Sequence, residues 1–323
     1  MWKGADCMPP RAPDGTFPSC NNIDTIAYYC YPQQGELKGI VQISHGMCEY
    51  LTRYDAFACA LNQAGYLVCG SDHLGHGNSA SSPEELGYFA GGDAYDLLPR
   101  DLHTLTSMMK KQYPGVPYFL FGHSMGSFVA RLYLTRYGEE LSGAILCGTS
   151  GPVAGSRLGI LLAGLVGSLK GDHYRAAFLE NLAFGAYNKR YETVTTPSDW
   201  ISRDGELVRR YREDPYCLFT FTAKGFHDLF TMVTMVNKKQ WAQSLPKSLP
   251  VYLVAGDMDP VGQYGKGVTL VRDRLLAAGL ADVSMTLYPE SRHELLNDLD
   301  KKRATADILG WLDRHIPTNN DNK

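Results

Sequence analysis

The sequence predicts an α/β architecture: a mostly parallel central sheet with helices on both faces, and a helical cap inserted between two parts of the core. Three observations lead there. Short apolar runs alternate with helix-periodic segments from residue 24 to residue 147, the alternation stops from residue 151 to about 240, and it resumes at Val251. Strands that alternate with helices argue for a parallel sheet covered on both faces by its crossover helices. The expected organisation is therefore a first core part over residues 1–150, a cap or lid over 151–240, and a second core part over 241–323. With 323 residues, 44% of them hydrophobic and 20% charged, the chain can bury a core of that size.

Residues 1–20 are proline-rich and read as an irregular lead-in, without the apolar stretch of a signal peptide. Asp24–Tyr31 and Lys38–Ser44 read as two strands, and Pro32-Gln33-Gln34-Gly35 between them predicts a hairpin. Tyr54–Ala64 carries Phe57, Ala58, Leu61 and Ala64 at helical spacing; Gly65 stops it, and Tyr66–Gly70 is a short apolar strand. A helix over Tyr95–Tyr113, a strand over Tyr118–Phe121, a helix over Ser124–Tyr137 and a strand over Gly143–Cys147 follow. Beyond the cap come a strand at Val251–Ala255, a helix around Lys266–Ala278, a strand at Val283–Leu287 and a helix from about Leu296 to His315.

The chemistry centres on Gly122-His123-Ser124-Met125-Gly126, a G-x-S-x-G pentapeptide between a predicted strand and a predicted helix. Such a sharp turn lifts the serine oxygen above the sheet edge and needs very small residues two before and two after it. A serine hydroxyl becomes a nucleophile when a base removes its proton, and the base needs an acid to orient it. His293, after the last strand, is the candidate base. Asp259 is the candidate acid and Asp257 its rival in the same loop; the reach toward the histidine favours Asp259. The Met125 amide at the helix start is one candidate oxyanion donor, and the Met47 amide, in the His45-Gly46 turn after an early strand, is the second. His123 is a candidate substrate contact, and Cys48 a candidate target for thiol reagents.

Six segments together resemble the α/β-hydrolase superfamily, and within it the serine aminopeptidase S33 (hydrolase-4) family that includes monoacylglycerol lipases and lysophospholipases. They are His45-Gly46-Met47-Cys48-Glu49 with Arg53-Tyr54, Asp72-His73-Leu74-Gly75-His76-Gly77-Asn78-Ser79, Tyr113-Pro114-Gly115-Val116-Pro117, the pentapeptide, Gly256-Asp257-Met258-Asp259, and Arg292-His293-Glu294. The resemblance covers nearly the whole core and far less of the cap. It implies an α/β-hydrolase fold, a Ser124–His293–Asp259 triad, and Met47 and Met125 as oxyanion amides. Ser127 departs from the glycine that lipases of this group often carry.

The expected activity is cleavage of carboxylic esters with hydrophobic acyl groups, with no cofactor and no metal. Aminopeptidase or C–C bond hydrolase chemistry on the same triad is the alternative, and a non-catalytic binding protein the remote one. Gly75-x-Gly77-x-x-Ala80 formally matches a dinucleotide fingerprint, but Ser81-Ser82-Pro83 stands where its helix should continue. Asp72, His73 and His76 could be imagined as metal ligands, yet the resemblance makes that segment a structural loop. A net charge of −3 supplies no basic field for nucleic acid. Eight cysteines without metal-like or paired spacing predict reduced thiols and a cytoplasmic location. The glycine-interrupted apolar run Leu158–Leu169 reads as cap core, with transient membrane-surface contact open to its outer face. The oligomeric state is not legible.

Overall fold

The structure is a computed structural model that describes residues 11–316. Its elements in chain order are β1 (Gly15–Pro18), β2 (Thr25–Tyr31), β3 (Gly39–Ser44), α1 (Asp55–Gln63), β4 (Tyr66–Ser71), α2 (Ala94–Gln112), β5 (Tyr118–His123), α3 (Met125–Tyr137) and β6 (Gly143–Cys147). Then come α4 (Ser156–Lys170), α5 (Ala177–Phe184), α6 (Gly205–Glu213), α7 (Ala223–Val236), β7 (Val251–Gly256), α8 (Lys266–Ala277), β8 (Val283–Tyr288) and α9 (Lys301–Arg314), with short 3-10 turns in the connections. The strands form one sheet in the order β1-β2-β4-β3-β5-β6-β7-β8. It is parallel from β4 to β8 and antiparallel at the β1–β2–β4 edge.

Strand alternation sorts the core into two layers. On β5, Tyr118 and Leu120 face a cluster that includes Leu98, Leu102, Leu105, Val129 and Tyr133 of α2 and α3. Phe119 and Phe121 face the other way, against Phe57 and Leu61 of α1 and Ile308 and Trp311 of α9. β3, β4, β6 and β7 are buried along their whole length, as strands covered on both faces must be.

The predicted hairpin between residues 24–31 and 38–44 does not form. β2 pairs antiparallel with β4 (Tyr28 opposite Ser71), and β3 lies on the far side of β4, parallel to it and to β5. The connection is pulled away from a tight turn: Gln34 N–H donates to Asn62 O and Lys38 N–H to Gly65 O, which carries the chain past the end of α1. A fully buried β3 also needs a partner on each side, and a hairpin at the sheet edge leaves one side open. The hairpin instead joins β1 and β2 (Gly15 opposite Tyr28), so residues 15–18 are strand rather than lead-in; residues 1–10 of that lead-in lie outside the described residues. β1 has one inward residue, Phe17, too few to register as a period. The last helix starts at Lys301, because Asp298 takes the N–H groups of Arg292 and Leu299 into a separate turn.

Between β6 and β7 the described residues contain helices and turns but no strand. α7 packs along α4 and against α3, and so joins this segment to the core below it. At its opposite face, α4 leaves Leu158, Leu161, Leu165 and Leu169 exposed, each more than half accessible.

Candidate active site

β5 runs into α3 through Ser124, which adopts φ 51° and ψ −121°. An L-residue reaches such a conformation only when its surroundings hold it there. The neighbours are packed so closely that a side chain has no room. A Cβ on Gly126 would sit 2.1 Å from Ser44 O and 2.3 Å from His45 O, and one on Gly122 would sit 2.6 Å from Gly126 O. The turn is fastened by Ser124 N–H to Cys147 O (3.0 Å) and by the Ser127 hydroxyl to Ser124 O (2.6 Å). Ser127, where the resemblance expects glycine, thus adds a hydrogen bond to the elbow.

Three loops at the C-terminal ends of β5, β7 and β8 bring their side chains together, the position where open α/β sheets bind ligands. Ser124 Oγ lies 2.8 Å from His293 Nε2, and His293 Nδ1 lies 3.0 Å from Asp259 Oδ2. Asp259 is fully buried and its second oxygen accepts from Val261 N–H at 2.8 Å, so Oδ2 can accept only from the Nδ1–H tautomer of His293. Nε2 is then free to accept the serine proton. Asp257, the rival acid, turns aside and caps Glu290 N–H at 2.7 Å.

Met47 and Met125 line the same cavity as Ser124. The turn that carries Met47 lies against the serine: a Cβ on Gly46 would stand 3.1 Å from Ser124 Cβ. His45 accepts His73 N–H at Nε2 (2.9 Å), so its Nδ1–H donates to Gly46 O at 2.8 Å. In a trans peptide C=O and N–H point in opposite directions, so holding Gly46 O toward His45 turns the Met47 N–H away from it. The other histidines and the aspartate of that region are structural too. His73 Nε2 lies 3.0 Å from the Ser44 hydroxyl, and Asp72 accepts from Leu51 N–H, Asn78 N–H and the Tyr29 hydroxyl. Cys48 is buried and donates to Phe219 O; burial pushes its thiol pKa well above the ordinary value, which suppresses the reactive thiolate.

Above the serine lies a cavity of about 650 Å³. Phe128, Leu158, Phe184, Leu229, Phe230 and Val233 supply much of its apolar wall, and Glu180, Asn188 and Arg212 are among its polar members. Trp200 stacks with Phe184 and stands 5.1 Å from the His293 ring, centroid to centroid. The chain around Trp200 is also bonded to the histidine loop. His293 N–H donates to Trp200 O, Glu294 N–H to Ile201 O at 2.7 Å, and Arg292 to Asp199 O and Ser202 O; Arg203 reaches back to Asp298 and Asp300. Sequence reasoning missed this seam, since nothing in residues 199–203 announces a partner a hundred positions away. It named Glu49, Arg53 and Glu294 within the motifs of the resemblance but gave them no role, although Glu49 and Arg53 stand four apart, the spacing of a helical ion pair. His123, expected as a substrate contact, has both ring nitrogens engaged by protein atoms.

The family model described as serine aminopeptidase, S33, matches residues 35–300. A highly thermostable carboxyl esterase from Bacillus coagulans, solved with glycerol, is 36% identical and superposes with a TM-score of 0.87, over 94% of this chain and 98% of that one. A monoacylglycerol lipase of Mycolicibacterium smegmatis is 28% identical over 90% of this chain and 94% of its own length. The monoglyceride lipase of Rattus norvegicus is 27% identical over 95% and 94%. With the sheet order, the elbow and these similarities together, the chain belongs to the serine aminopeptidase S33 family of α/β-hydrolases.

Proposed function

We propose that this protein is a serine hydrolase that cleaves carboxylic esters of hydrophobic acyl groups through an acyl-enzyme. The observation that carries the reading is the Ser124–His293–Asp259 chain of hydrogen bonds, at 2.8 and 3.0 Å, opening into a largely apolar cavity. Ser124 Oγ attacks the ester carbonyl while His293 Nε2 takes its proton, and Asp259 steadies the imidazolium that forms. The Met47 and Met125 amides receive the negative charge of the tetrahedral intermediate. Collapse expels the alcohol, which takes the proton from His293; water, deprotonated by the same nitrogen, then releases the acid.

Monoacylglycerols, lysophospholipids and short synthetic esters are the substrate classes that suit the cavity, in keeping with the monoacylglycerol lipases and esterase among the relatives. An aminopeptidase needs a carboxylate free to meet a substrate ammonium. Glu49 and Glu294 are both committed to Arg53, which speaks against these two in that role.

Residues 151–240 act as a cap in this reading. The exposed leucine face of α4, with Phe178 and Leu182 of α5 also exposed, suits docking on a lipid–water interface, where such a substrate would be met. No helix among the described residues is long and apolar enough to cross a membrane. The seven described cysteines are free thiols, which supports a reducing, cytoplasmic setting.

The test is hydrolysis of p-nitrophenyl esters from acetate to palmitate by the wild type and Ser124→Ala. Activity peaking at medium or long chains and at least about 10³-fold lower in the variant supports the reading. Comparable turnover by Ser124→Ala overturns it.

A further inference from the structure

Beneath the serine, four charged or ionisable side chains are buried together without entering the chemistry above. Glu49 Oε1 accepts from Gly46 N–H (2.5 Å), the Tyr54 hydroxyl (2.8 Å) and His123 Nδ1 (2.9 Å). Its other oxygen accepts from Arg53 at 3.1 Å, and Arg53 in turn forks onto Glu294 at 2.8 and 2.7 Å. His123 Nε2 stands 3.3 Å from the main-chain oxygen of His293. Glu49, His123 and Glu294 are each less than a tenth exposed.

Donor and acceptor accounting fixes the protons. Glu49 already receives three N–H or O–H donors besides His123, which is the environment of a carboxylate and not of a carboxylic acid. His123 Nδ1 therefore donates to it. The Nε2 atom faces a carbonyl oxygen, which has no proton to give, so Nε2 must donate as well. An imidazole that donates from both nitrogens carries a positive charge. The set then sums to zero: Glu49 and Glu294 against Arg53 and His123.

We propose that His123 is held as an imidazolium and acts as a positioning residue, its two N–H groups joining Glu49 beneath the oxyanion turn to the main-chain oxygen of His293. The inference rests on the ester-hydrolase reading of Ser124. It gives the residue before the nucleophile a task. Glu49 grips Gly46 N–H, whose peptide leads into Met47, and His123 grips the carbonyl of the catalytic base. One buried ion pair thus sets the distance between the oxyanion donor and the base, with the serine fixed between them. Burial opposes the charge, but Glu49 outweighs it and raises the His123 pKa above the ordinary histidine value. The groups facing His123 from the packed elements are Glu49, Arg53, Tyr54, His45, Glu294 and the His293 ring at 4.9 Å. Of these, Glu49 and Glu294 favour its proton, and Glu49 is the carboxylate bonded to the ring.

Nitrogen-15 NMR of histidine-labelled protein at pH 7.5 reads the charge directly. His123 is identified as the signal lost in His123→Phe or, should that variant not fold, in His123→Gln. Two protonated ring nitrogens are expected; a neutral tautomer overturns the inference. Kinetically, His123→Phe should lower kcat on p-nitrophenyl butyrate about 100-fold with KM within threefold, since an offset near 1 Å costs that much. His123→Gln, which retains one donor, should recover part of the loss. A His123→Phe enzyme with kcat within threefold of wild type refutes the positioning role. Ser124→Ala in the same assay separates the two readings: its silence beside an unimpaired His123→Phe sinks only this inference, whereas its activity sinks the ester reading itself.

Discussion

Gly126→Ala places one methyl group where the elbow helix meets the oxyanion strand. Its Cβ would lie 2.1 Å from Ser44 O and 2.3 Å from His45 O, both main-chain atoms of a strand end buried between β4 and β5. A carbon–oxygen contact needs about 3 Å, so the helix and the strand end must part by about 1 Å. Rotating a side chain cannot relieve the clash. Overpacking of this kind costs about 1–3 kcal/mol, a Tm lower by roughly 1.5–4.5 °C in a chain of this size. The same movement carries the Met47 amide away from the Met125 amide and from Ser124 Oγ, and about 1 Å of misplacement costs on the order of 10²-fold in kcat. Gly205→Ala is the control, because a Cβ there meets nothing within 4 Å and the residue opens helix α6. Differential scanning fluorimetry and p-nitrophenyl ester kinetics on both variants decide the matter. A Gly126→Ala enzyme as active and as stable as Gly205→Ala would falsify the claim that the elbow and the oxyanion turn share one rigid contact.

Acid should loosen the fold before it titrates most carboxylates. Burial lowers the pKa of His45, His73 and His76, the last to about 3, so the folded state refuses protons that the unfolded chain accepts below about pH 6.5. Stability is then lost as pH falls below about 6.5, for His76 by on the order of 1 kcal/mol per pH unit down to about 3, with His45 and His73 adding in the same direction, and guanidinium midpoints at pH 7 and pH 5 should show it. Equal midpoints refute the assignment. Leu161→Gln with Leu165→Gln should weaken co-sedimentation with phosphatidylcholine vesicles several-fold while sparing hydrolysis of p-nitrophenyl acetate, because both side chains stand well out in solvent. Unchanged vesicle binding would remove the docking role of α4.

Most of the core could be read from the chain because each signal was local. Tyr118–Gly126 carries its strand, its turn glycines and its helix start within nine residues, and Asp259 and His293 each follow a strand of their own. Pairing is a different kind of information. Pro32–Gly35 has the composition of a hairpin turn, but the partner of β2 is decided by Asn62 and Gly65 drawing the connection past α1, contacts that no short window contains. Glu49, Arg53, His123 and Glu294 illustrate the same limit within the site. Their residue types are ordinary, and their partnership shows only when three separate segments bring them under one serine. Trp200 gives no hint of its neighbour His293 either.

The main-chain bonds between residues 200–201 and 293–294 bear on how this enzyme's specificity can be traded with that of a relative. A graft spanning 151–240 would carry away half of a short ladder whose other half holds the base, and Arg203 would leave its carboxylates Asp298 and Asp300 behind. Splice points at about residues 152 and 198, with 199–203 kept from the recipient, would exchange the cavity-lining parts of α4 and α5 while His293 retained its own scaffold. Such a cut still parts Asp199 from the Thr195 and Thr196 groups that donate to it, and α4 from the α7 it packs along, so a graft that keeps the ladder intact has to restore these contacts as well.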